Sequence, residues 1–102
     1  MDDKVEIILN EMRDEFRGKS FEEIQAINWI NQSPIKLGWR KLYPSVWSQE
    51  YGDSEILLVV QLTRWYICNL FGATDCIGFL INKQGSTTDV DAYWLMHEIG
   101  HP

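Results

Sequence analysis

Apolar residues recur at Val5, Ile8, Leu9, Met12 and Phe16. This i, i+3, i+4, i+7, i+11 spacing lies along one helical face and predicts an amphipathic helix over residues 3–17. Asp2 and Asp3 suit its positive N-terminal end, Arg17 suits its C-terminal end, and Gly18 marks a stop. Ser20 with Glu23 three residues later has the form of a capping box. The second helix it opens would carry Phe21, Ile24, Ile27 and Ile30 inward and end at Ser33-Pro34. Two helices with a short Gly-containing link predict an antiparallel hairpin.

Beyond Gly38 the period changes. Pro44 and Gly52 break any long helix and leave extended segments near 37–43 and 45–51. Residues 55–62, 64–71 and 76–82 are short apolar runs rich in β-branched and aromatic side chains. Gly52-Asp53, Gly72-Ala-Thr-Asp75 and Gln84-Gly85 bound them as turns. A three- to five-stranded antiparallel sheet follows. Residues 55–71 hold no Gly or Pro, so one buried helix stopped by Gly72 is the alternative there. A turn at 72–75 would pair Phe71 with Cys76 and Cys68 with Phe79, pointing the two thiols to opposite faces. From Thr88 to Ile99 the chain reads as a short C-terminal helix, with Thr88 as cap and Asp91 three residues on. The fold class is α+β, one compact domain over residues 1–102.

Composition adds two constraints. The net charge is −6, and it is lopsided: residues 1–41 carry eight acids and seven bases, whereas residues 42–102 carry seven acids against only Arg64 and Lys83. Phosphate backbones and anionic membrane surfaces require the opposite sign, so neither nucleic acid nor membrane is an expected partner. A basic protein is, because such a field raises its association rate. Met-Asp-Asp-Lys does not open a signal peptide, and two cysteines make no disulfide framework, so a cytoplasmic location is expected.

The anionic candidates for partner binding are Glu50, Asp53, Glu55, Asp75, Asp89 and Asp91. Asp also serves turns, and a solvated face accounts for them equally. Trp39, Tyr43, Trp47 and Tyr51 share one parity, so extended structure would align them as an aromatic binding surface or as core against the helical hairpin.

His97-Glu98-Ile99-Gly100-His101 resembles the H-E-x-x-H motif of zincin metallopeptidases. The resemblance implies a zinc ion held by His97 and His101, with Glu98 as general base. Such a site needs a third ligand, expected upstream because only Pro102 follows, and proline disfavours helical backbone at His101. The leading expectation is therefore no catalytic residue and no cofactor, with a zinc-dependent hydrolase as the alternative. In size, acidity, lack of an export signal and lack of other catalytic machinery, the chain is similar to small bacterial immunity proteins of the contact-dependent inhibition type. That similarity implies an antitoxin that occludes the active site of a basic toxin such as a nuclease.

Overall fold

The computed structural model describes residues 3–38, 40–66, 71–91 and 94–95. It holds two helices, α1 (Asp3–Arg17) and α2 (Phe21–Gln25). Six strands follow: β1 (Trp29–Asn31), β2 (Ile35–Leu37), β3 (Arg40–Tyr51), β4 (Glu55–Tyr66), β5 (Phe71–Asn82) and β6 (Thr87–Val90). All strands join one antiparallel sheet in the order β1-β3-β4-β5-β6, with β2 beside β1 on the same flank of β3. The class is α+β, with a sheet larger than the expected three to five strands.

Helix α1 forms where the apolar stripe predicts it. Val5, Leu9, Met12 and Phe16 are buried, and the helix lies across β4 and β5. The Ser20–Glu23 capping box is present in both directions, with backbone-to-side-chain distances of 3.1 and 3.2 Å. Helix α2 nevertheless stops after five residues instead of running to Ile30. Asn28 takes a left-handed φ of 57°, a conformation Asn tolerates, and turns the chain into β1. Its carbonyl accepts from Ser48 N–H at 3.0 Å, and its own N–H donates to Ser48 Oγ at 3.2 Å. Ile30 consequently lies in a strand and is 40% exposed.

Pro44 does not divide β3. The Gln32 N–H donates to the Pro44 carbonyl at 3.0 Å, so the polar groups of residue 44 face the junction between β1 and β2. No ladder bond is demanded of proline's missing N–H at that junction. β4 runs unbroken from 55 to 66, and residues 67–70 lie outside the described residues. Residues 55–66 are thus one strand, neither a helix nor the two separate runs 55–62 and 64–71 expected from the sequence. Its register with β5 pairs Tyr66 with Phe71 and Gln61 with Cys76. The expected turn at 72–75 is thereby corrected: those residues lie inside β5. Cys68 falls outside the described residues. Thr88 and Asp89 belong to β6, not to a helix. The next turn starts at Asp91, whose carboxylate accepts from Trp94 N–H at 2.9 Å and whose carbonyl accepts from Leu95 N–H at 3.1 Å. The remainder of the expected C-terminal helix lies outside the described residues.

Two apolar layers result. The helix-facing layer joins α1 and Ile24 to Leu42, Val46, Leu58, Val60, Leu62, Ile77 and Phe79. The opposite layer holds Trp47, Leu57, Val59, Cys76, Val90 and Leu95. Between them, Gly78 lies so close to the Leu58 carbonyl oxygen that any Cβ would collide with it. Among the described residues, no helix is long and apolar enough to cross a membrane.

Candidate functional site

The β3–β4 hairpin turns through Gly52, Asp53 and Ser54, with Gly52 at φ 67°. Tyr51 pairs with Glu55 across its base. Helix α2, held short by Asn28, sits over this end of β3 and β4. A groove of about 300 Å³ opens between them, lined by Phe21, Gln25, Glu50, Gly52, Asp53, Glu55, Ile56 and Lys83. Glu50 and Asp53 are exposed and Glu55 is half-buried. All three line the groove with Phe21 and Ile56, Glu50 from the helix-facing side of the sheet opposite Ile56, and Glu55 from the strand position opposite Tyr51, on the other side. Lys83 enters from the β5–β6 turn, which Asn82 organises by accepting from the N–H groups of Gln84 and Ser86 at 3.0 Å each. Three acids against one base suit a guanidinium or ammonium group on an apolar stem.

The other acidic candidates lie elsewhere and already have work within the fold. Asp75 pairs with Arg64 across β4 and β5 at 3.0 Å, with both side chains about four-fifths buried. Asp89 accepts from Arg17 at 2.8 Å and lies 4.0 Å from Arg13, joining β6 to α1. Arg17 also stands 6.0 Å over the Phe79 ring. Asp91 caps the turn at Trp94. Of the six acids, then, Glu50, Asp53 and Glu55 come together and Asp75, Asp89 and Asp91 do not.

Tyr43, Trp47 and Tyr51 do share a face, as their parity requires, but it is the face away from the helices. Trp47 is buried there and donates its indole N–H to Gln61 Oε1 at 3.0 Å. Tyr51 is half-buried and its ring centroid lies 5.5 Å from that of Trp94. Tyr43 is exposed, with Lys41 5.9 Å from its ring. Trp39 lies outside the described residues. So do His97, Glu98 and His101; among the described residues, no group of His, Cys, Asp and Glu is placed to hold a metal.

The sequence reading missed Phe21, Gln25 and Lys83 as neighbours of the acidic turn, and missed Trp29, which is 55% exposed on an edge strand. Lys83 is one of two bases in the acidic half of the chain, a signal that could have singled it out. No family model, curated protein or solved structure matches this chain.

Proposed function

We propose that the protein is a cytoplasmic immunity or inhibitor protein that neutralises a basic partner, such as a nuclease toxin, by occluding its active site. The observation that carries this reading is the groove that Glu50, Asp53 and Glu55 line together with Phe21 and Ile56. Cationic side chains that hold substrate phosphates in a nuclease would insert their alkyl stems against the apolar wall and pair with the carboxylates. The wider negative field, −6 overall, would steer such a partner to the groove. The test is affinity capture from native lysate, followed by activity assays on the captured protein. A basic nuclease that loses activity on binding supports the reading. A partner that is neither basic nor inhibited removes it.

A second reading, a zinc-dependent hydrolase, rests on the His97-Glu98-Ile99-Gly100-His101 motif. Untagged protein would then carry stoichiometric zinc and lose hydrolysis on Glu98→Gln. Protein that binds no zinc and shows no Glu98-dependent activity leaves the inhibitor reading alone.

A further inference from the structure

The strand β1 ends the sheet on one side, and among the described residues nothing pairs with its outer edge. The phase of its hydrogen bonds follows from two contacts that bracket it. Ser48 N–H donates to the Asn28 carbonyl and Gln32 N–H donates to the Pro44 carbonyl, both at 3.0 Å. Residues 28, 30 and 32 therefore aim their backbone polar groups at β3, and alternation aims those of Trp29 and Asn31 outward. The side chains are as unusual for an edge. Trp29 is 55% exposed and Ile30 40% exposed, and β1 carries none of the Lys or Pro residues that protect edges from pairing. Pro34 lies just beyond and limits any added strand to the β1 stretch.

We propose that this edge pairs with the same edge of a second copy of the chain, about a two-fold axis at Ile30. In that antiparallel register Trp29 and Asn31 exchange backbone hydrogen bonds with Asn31 and Trp29 of the other copy. Ile30 meets its own counterpart in the closely spaced, non-hydrogen-bonded position. Charge favours a second copy over an unrelated strand. The β2 end of the sheet carries Lys36, Arg40 and Lys41, whereas the α2 and β3–β4 end carries Glu22, Glu23, Glu50, Asp53 and Glu55. Antiparallel pairing about Ile30 sets the basic end of each copy beside the acidic end of the other. The short paired stretch makes the association weak and reversible.

Sedimentation equilibrium of the whole chain over a wide concentration series is the test. Wild-type protein is expected to dimerise at high concentration, less so as salt rises. Ile30→Lys, which sets two ammonium groups face to face at the axis, is expected to weaken dimerisation at least about tenfold with the circular dichroism unchanged. Ile30→Cys is expected to cross-link copies under mild oxidation. Paired Cα atoms about 4.5 Å apart in this register suit a disulfide, and peptide mass spectrometry would place the link at position 30 in both chains. A chain that stays monomeric throughout overturns the proposal. So does a dimer that Ile30→Lys leaves intact, or Ile30→Cys protein with no 30-to-30 link. Uptake of another protein's strand at this edge, with the chain alone monomeric, also overturns it.

Discussion

Gly78 is the residue whose size is most tightly fixed by its surroundings. Gly78→Ala would push a methyl group into the Leu58 carbonyl, and β4 and β5 would have to part to admit it. A loss of at least about 1–3 kcal/mol, the range for overpacking, is expected in urea denaturation. Gly18 is the contrast. It needs no positive φ, and a Cβ there meets nothing within 4 Å. Gly18→Ala is expected to be neutral or to stabilise by about 0.4–1 kcal/mol, because it narrows the unfolded ensemble. Cys76 lies buried, and burial, reinforced by the Asp75 charge, pushes its thiol pKa up. Its protonated form is therefore favoured by folding. The contribution is complete below the ordinary thiol range and is lost as pH rises through the folded value. The measurable consequence is slow alkylation of Cys76 at mildly alkaline pH, accelerating sharply once denaturant unfolds the chain. Rapid native-state labelling would show that the layer around Trp47 and Leu95 is open.

Single elements are secured by polar contacts at their ends and across their neighbours. The capping box at Ser20 holds the Glu23 carboxyl below its ordinary pKa, chiefly through the Ser20 backbone N–H. A depressed folded pKa makes this contribution present above the ordinary carboxylate range, and it fades as pH falls through the folded value. An NMR titration of Glu23 should return an acid-shifted midpoint that Ser20→Ala moves back only in part, since the backbone N–H at position 20 remains, with the same substitution costing about 1 kcal/mol of stability. Within the sheet, Trp47 and Gln61 satisfy one another in a buried cross-strand bond. Trp47→Phe keeps an aromatic ring but strands the Gln61 oxygen, so a loss of about 1–3 kcal/mol is expected. Trp47→Phe combined with Gln61→Leu should recover part of it, which a double-mutant cycle would read.

At the level of the whole molecule, charge is sorted by position in the fold more than by position in the chain. Asp75 and Asp89 are matched by Arg64, Arg17 and Arg13, whereas Glu50, Asp53 and Glu55 share a groove with Lys83. If the groove takes a basic partner, association should slow steeply from low to physiological salt as screening weakens steering. Glu50→Lys, Asp53→Lys and Glu55→Lys together should slow it further, while Asp91→Lys, away from the groove, should matter less. Stopped-flow association rates would separate the two; equal effects would reduce the groove to a solubility feature.

The sequence by itself determined α1, the capping box, the strand character of 76–82 and the turns at Gly52 and Gly85, because each rests on interactions within a few residues or on a period of 3.6 or 2. It also determined that Tyr43, Trp47 and Tyr51 share a face, since parity needs no partner. Which face that is, only the tertiary structure decided: α1 can cover just one side of the sheet, and Leu42, Val46 and Phe79 won it. The same holds for the end of α2, where Ser48 completes the turn at Asn28 from a strand twenty residues away. It holds for Pro44, tolerated only because β1 and β2 leave a gap beside it. The β4–β5 register is likewise long-range: Gly72–Asp75 has turn chemistry, but pairing Ile56 with Ile81 and Leu58 with Phe79 places those residues inside the ladder. Burial across strands outweighs a local turn preference, and burial is a property of the assembled sheet.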